Sequence, residues 1–295
     1  MDSDWCGLPW TPWDVLERNT IRQRAPNLPG VYRICREGDV TPRLTYIGQT
    51  GRGLRERLLA LAAGANAETC PFNDPHTAAP HLWFLRHHDN AQLAFSCAPV
   101  HGDRQTLCGT EDMLLWRHRV EIGSSTEANY GRFFPGYSRP TNRWVVRKRA
   151  GGDLRTPGRI AQPLPEGSLG DFKLITPARH GDAGVLQAPW WQRARLADGA
   201  SLPNGAGIYC IYERNADEPV YIGETSALLA RSATHAARPW SLSEPSLAAL
   251  AVADGTPKYA LHELESDLLG WQFWRTGRAP VFQYHRVRGA GDNTA

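Results

Sequence analysis

Two stretches of the chain alternate apolar and polar positions with a period of two and are rich in β-branched and aromatic residues. The first runs from Gly30 to Thr50, "GVYRICREGDVTPRLTYIGQT", and the second from Gly207 to Thr225, "GIYCIYERNADEPVYIGET". Each reads as two strands joined as a hairpin. The segments that follow, "LRERLLALAAG" and "ALLARSATHAA", have helical composition and period. Beyond them "AQLAFSCAPV" and "PKYALHEL" predict third strands, and "EDMLLWRHRVE" and "ESDLLGWQFWR" predict second helices. Thr110 is placed to cap the first of these, with Glu111 in its opening turn.

The two halves share more than a pattern. "LPWTPW" before the first hairpin is echoed by "APWW" before the second, and "LPGVY" by "LPNGAGIY". Leu54 and Arg57 correspond to Leu228 and Arg231, and "EDMLL" to "ESDLL". Eighteen residues beyond each leading glutamate stand "NYGR", with Asn129, and "QYHR", with Gln283. The fold class expected is α/β in the α+β sense: two small domains, each a short, mainly antiparallel sheet flanked by helices. A Gly- and Pro-rich stretch from 150 to 185, with "FKLIT" as one strand-like island, separates a first domain over 1–149 from a second over 186–288, with a tail over 289–295.

At 295 residues there is enough chain for two cores. No apolar run approaches the length of a membrane span, and the N-terminus has neither the basic nor the apolar part of a secretion leader, so no membrane partner is expected and the compartment expected is the cytoplasm. The six cysteines show neither CxxC pairs nor zinc spacing, which predicts reduced thiols. Net charge is only +3, but residues 1–150 hold 19 Lys or Arg against 15 Asp or Glu, and the remainder 14 against 15. The basic excess is densest at Arg139, Arg143, Arg147, Lys148 and Arg149, with Trp144 among them. That segment suits phosphate contacts with a stacking ring, or equally a solvated strand entering a linker.

Both copies resemble the GIY-YIG nuclease domain, named for its two strand motifs. The resemblance covers about 100 residues in each half. It rests on a tyrosine on each strand, an arginine three residues after a leucine on the first helix, a glutamate at the start of a later helix and an amide residue beyond it. In the first copy these positions are Tyr32, Tyr46, Arg57, Glu111 and Asn129, and in the second Tyr209, Tyr221, Arg231, Glu265 and Gln283. Several members add a histidine four residues after the arginine; His235 fits this, whereas Leu61 stands in the first copy, where His76 on a histidine-bearing loop is the candidate substitute. The resemblance implies hydrolysis of DNA phosphodiester bonds by one or both sites; a restriction or phage-defence setting is expected because no helicase, ligase or helix-hairpin-helix module accompanies the two domains. It also implies that two sites in one chain let a monomer act.

The residue types suit that chemistry. Phosphodiester hydrolysis needs a deprotonated water, a cation for the charge building on the phosphoryl oxygens and help for the leaving alkoxide. One carboxylate per copy, without a second acid at ligand spacing, suggests a single Mg²⁺ or Mn²⁺ per site, held weakly by Glu111 and by Glu265. Arg57 and Arg231 are fork-shaped cations for phosphate oxygens. By the resemblance Tyr32 and Tyr209 are the candidate bases, with Tyr46 and Tyr221 as hydrogen-bonding neighbours, provided that a cation lowers a hydroxyl pKa of about 10. Gln283 restores the asparagine's bond only if its backbone sits further back. Glu224 after Tyr-Ile-Gly, where the first copy has Gln49, is unhelpful beside a phosphate unless it binds metal. Two other readings stay open: a non-catalytic nucleic-acid-binding protein, and a small-molecule enzyme on the same fold. Trp10, Trp13, Trp190 and Trp191 suit base stacking, or packing between leader and sheet.

Overall fold

The computed structural model describes residues 3–38, 43–71, 78–132, 137–138, 159–160, 190, 192–196, 202–214 and 216–284. The chain divides into two compact units, Met1–His101 with Leu114–Asp182, and Gly102–Met113 with Ala183–Ala295.

In the first unit β1 (Asp14–Val15), β2 (Gly30–Arg36), β3 (Tyr46–Thr50) and β4 (Leu93–Pro99) form an antiparallel sheet in the order β1-β4-β2-β3. Helices α1 (Arg18–Arg24), α2 (Leu54–Ala65) and α3 (Ala79–His87) supply Ile21, Leu54, Leu58, Leu61, Leu82 and Leu85 to a core that also takes Tyr32 and Ile34 of β2. The opposite face of β2 carries Arg33, 1 % exposed, whose guanidinium lies 4.2 Å from the Trp10 ring centre and 4.7 Å from that of Trp13. These leader tryptophans therefore pack on the sheet through cation–π contacts, and Trp10 Nε1 also donates to the Trp5 carbonyl at 2.9 Å.

Helix α4 (Arg104–Ile122) begins seven residues before Glu111. Asp103 Oδ1 accepts from the Thr106 amide and hydroxyl, each at 2.9 Å, as an N-terminal cap does. Thr110 is thus no cap: it lies inside the helix and its hydroxyl donates back to the Thr106 carbonyl at 2.7 Å. The stretch read as a histidine-bearing loop holds α3 from Ala79 onward. Two residues of the Gly- and Pro-rich stretch form β6 (Arg159–Ile160), paired with β5 (Tyr137–Ser138), and this stretch groups with the first unit as far as Asp182.

The second unit repeats the sheet. Strands β7 (Ala194–Arg195), β8 (Gly207–Tyr212), β9 (Tyr221–Thr225) and β10 (Ser246–Ala251) are antiparallel in the order β7-β10-β8-β9. One face of β8 sends Tyr209 and Ile211 toward α5 (Leu228–Ala236), against Leu228, and the other sends Ile208 and Cys210 against Leu261, Leu268 and Leu269 of α6 (Lys258–Thr276). The third strand is therefore "SLAALA" rather than "PKYALHEL", which forms the opening turns of α6 behind Pro257. Pro257, free of the need for an amide bond, starts the helix, and Gly277 ends it in the left-handed region at φ 70°.

The six cysteines are free thiols. Among the described residues no helix is long and apolar enough to cross a membrane.

Candidate active sites

The hairpin registers coincide between the units. Tyr32 pairs with Gly48 and Ile34 with Tyr46, as Tyr209 pairs with Gly223 and Ile211 with Tyr221. In both, the tyrosine of the first strand folds over the glycine of the second: a Cβ on Gly48 or Gly223 would lie 2.5 Å from the Tyr32 or Tyr209 hydroxyl oxygen. The glycine is required by that approach, which sets the two tyrosine rings 5.9 Å apart in the first unit and 6.1 Å in the second.

Behind the second strand stands the amide residue. Asn129 Oδ1 accepts from the Ile47 amide at 3.0 Å and its Nδ2 donates to the Ile47 carbonyl at 2.7 Å. Thr126 supplies a further hydroxyl bond to Asn129 Oδ1 at 2.7 Å. In the second unit Gln283 Oε1 accepts from the equivalent Ile222 amide at 3.1 Å. The next residues, Tyr130 and Tyr284, have left-handed backbones at φ 65° and 60°. The same local turn thus presents either amide.

The tyrosine hydroxyls have different partners. Arg57 Nε donates to the Tyr32 hydroxyl at 3.0 Å. The Tyr209 hydroxyl lies 2.8 Å from His235 Nε2, and Leu61, at the place of His235 in the first unit, is 1 % exposed core. His235 is enclosed by the rings of Tyr209, Tyr221 and Trp240, at 5.3–5.4 Å between centres. Burial, aided by Arg231 and Arg238, lowers its pKa to about 4, so the imidazole is neutral at pH 7. Tyr209 does not have the lowered pKa expected of a base beside a cation: burial pushes its hydroxyl well above the ordinary value, Tyr221 adds to this, and Arg231 offsets only part. Tyr221 is raised too, by burial and then by Glu265.

The two glutamates hold equivalent positions, each the eighth residue of a 19-residue helix. Glu265 acts electrostatically on both Tyr209 and Tyr221, which ties it to the tyrosine pair. The expectation of a lone carboxylate is corrected in the second unit. Glu224 of β9 and His262 of α6 join Glu265, and one ligand atom from each of the three lies within 4.8 Å of the others. His262 Nδ1 is 3.7 Å from Glu224 Oε1 and 3.6 Å from Glu265 Oε2. Lys258 also pairs with Glu224. Sequence reasoning passed over His262, although its place three residues before Glu265 on one helix face was the available signal.

Arg139, Arg143, Arg147, Lys148 and Arg149 lie outside the described residues, as do His76, Trp191 and the "FKLIT" island.

No family model, no curated protein and no solved structure matches the chain.

Proposed function

We propose that the protein is a metal-dependent endonuclease that hydrolyses DNA phosphodiester bonds, of the restriction or phage-defence kind, with two GIY-YIG-like sites in one cytoplasmic chain. The observation that supports it most is the duplicated geometry: twice over, a tyrosine lies on the glycine of the neighbouring strand, a basic or imidazole group meets its hydroxyl, and an amide side chain holds that strand from behind. Each of these pairings falls on a position that the nuclease reading requires, and the pairings recur together in both units.

In this reading Arg57 and Arg231 take the phosphoryl oxygens of the substrate, where a fixed cation offsets the charge that builds in the transition state. The tyrosine pair receives the proton of the attacking water. In the second unit Tyr209 takes the water's proton in the same step as it hands its own to the neutral His235 at Nε2, so no tyrosinate is formed. In the first, the Arg57 N–H donates to the Tyr32 oxygen and orients the hydroxyl. Glu111 and Glu265 would each hold one Mg²⁺ or Mn²⁺ ion, which would supply a Lewis acid for the phosphate. Basic residues Arg139, Arg143, Arg147, Lys148 and Arg149 carry the affinity for the DNA backbone.

Supercoiled plasmid incubated with Mg²⁺ or Mn²⁺ provides the test. The wild type gives linear product, Glu111→Ala and Glu265→Ala each give nicked circles, and the double variant gives neither. If the wild type binds the plasmid in a salt-sensitive manner yet leaves it intact, the protein is a non-catalytic DNA binder; with neither cleavage nor binding, a small-molecule substrate takes DNA's place.

A further inference from the structure

Glu224, His262 and Glu265 form the one place among the described residues where three His, Cys, Asp or Glu ligand atoms converge. We propose that they make a metal centre for a first-row transition ion, tighter for Mn²⁺ than for Mg²⁺, that sets the second unit apart from the first. The inference deepens the nuclease reading by naming the ion of its second site, and it rests on that reading only for the use to which the ion is put.

Three observations carry it. The first is spacing: ligand atoms held at about 2.1 Å from one ion sit about 3.0–3.4 Å apart, and His262 Nδ1 already lies 3.6 and 3.7 Å from its two carboxylate neighbours. Small rotamer changes close the set. The second is an unmet demand. The Glu224 side chain is 7 % exposed, and its Oε2 is buried with no hydrogen-bond partner. A buried carboxylate oxygen without a donor is costly unless a cation takes it. Lys258, 59 % exposed, reaches Oε1 only.

The third is the comparison between copies. The positions equivalent to Glu224, His262 and Glu265 are Gln49, Cys108 and Glu111. Gln49 brings no charge. Cys108 offers a thiol in place of the imidazole, a ligand that suits softer ions than Mg²⁺ or Mn²⁺. Of the three matched positions only Glu111 keeps a ligand of the same kind, which suits a hydrated Mg²⁺. An imidazole nitrogen joined to two carboxylates raises affinity for Mn²⁺ and the later ions of the row while offering Mg²⁺ a poor ligand.

The test measures binding and not cleavage, so the metal centre and the nuclease activity can fail separately. Chelator-stripped full-length protein is titrated with Mn²⁺ and the free aquo-ion is followed by electron paramagnetic resonance, with Mg²⁺ as competitor. Apart from weaker binding at Glu111, one tighter site is expected that Mg²⁺ empties only at more than about ten times the Mn²⁺ concentration. Glu224→Gln, His262→Ala and Glu265→Gln each weaken it at least about ten-fold, and Glu111→Gln leaves it unchanged. Lys258→Ala, at an exposed position, tightens it by freeing Glu224. Thermal melting checks that each variant is folded. Weakening confined to Glu265→Gln, parity between Mn²⁺ and Mg²⁺, or no effect of Lys258→Ala overturns the proposal and leaves the cluster as an ion-pair network.

Discussion

Gln283 Oε1 accepts a hydrogen bond from the Ile222 amide at 3.1 Å, the bond that Asn129 Oδ1 makes with Ile47 at 3.0 Å in the other unit. Both side chains are buried, and each serves a strand whose backbone would otherwise lack a partner at that point. Asn129→Ala removes the partner of both the amide and the carbonyl of Ile47 and is expected to cost on the order of 3 kcal/mol. Gln283→Asn shortens the reach and is expected to cost about 1 kcal/mol or more. Urea unfolding of each variant against the wild type measures both values.

Much of this was legible in the sequence where the period was clean. The strands around Tyr32, Tyr46, Tyr209 and Tyr221 alternate, and the spacing from Glu111 to Asn129 repeats from Glu265 to Gln283, so the hairpins and the amide positions could be read directly. The third strand of the second unit could not. "SLAALA" consists of leucine and alanine that favour a helix locally, and it becomes a strand because β8 and β7 flank it on either side. "PKYALHEL" has the opposite history: its alternation suggests a strand, but α6 needs its leucines on the sheet. The start of α4 was hidden because its cap, Asp103, is followed by residues without an apolar period, and Thr110 offered a more familiar signal. Glu224 and His262 come together only through the packing of α6 beside β9, which no local pattern encodes.

Gly48→Ala and Gly223→Ala test the closeness of tyrosine to glycine. A methyl group 2.5 Å from the hydroxyl oxygen must push the tyrosine ring off the strand. Each substitution is expected to destabilise its unit by about 1–3 kcal/mol. Each also displaces the hydroxyl from Arg57 or His235, with a fall in cleavage at that site on the order of 10²-fold. Nicking assays in a background where the other site carries its glutamate-to-alanine change isolate each effect. Substitution without loss of cleavage would show that the tyrosine's place on the strand is not used.

The first unit contains two buried neutral histidines. Burial lowers His81 to about 4, offset in part by its bond with the Arg132 carbonyl, and lowers His118 to about 4, with Arg43 adding to the effect. Both pKa values are depressed below the unfolded value of about 6.5, so unfolding takes up protons between pH 6.5 and 4. Their contribution is present in full above pH 6.5 and is lost as pH falls toward 4, at up to about 1.4 kcal/mol per pH unit for each histidine. In the second unit His235 acts in the same direction, but Asp112, raised by burial to about 7, takes up a proton in the folded state over that range and opposes it. The first unit is therefore expected to lose stability more steeply with acid. His118→Gln, which keeps an acceptor for the Leu44 amide without titrating, is expected to flatten the pH dependence of the urea midpoint.

His235→Leu places in the second unit the residue that the first unit has at Leu61. The substitution suits the space, because Leu61 is core in an equivalent helix. The Tyr209 hydroxyl loses its imidazole but has Arg231 on the same helix, one turn back, as Tyr32 has Arg57. Stability is expected to fall by no more than about 1–2 kcal/mol, the cost of one buried hydrogen bond. If His235 serves only to hold Tyr209, cleavage at the second site survives wherever Arg231 takes over the hydroxyl. If it accepts the tyrosine's proton, as proposed, kcat at that site falls by on the order of 10²-fold with KM nearly unchanged. His235→Gln separates the two roles, since glutamine offers a hydrogen bond to Tyr209 but cannot carry the proton: recovery of kcat with glutamine would assign the histidine to positioning, and failure to recover would assign it to proton transfer.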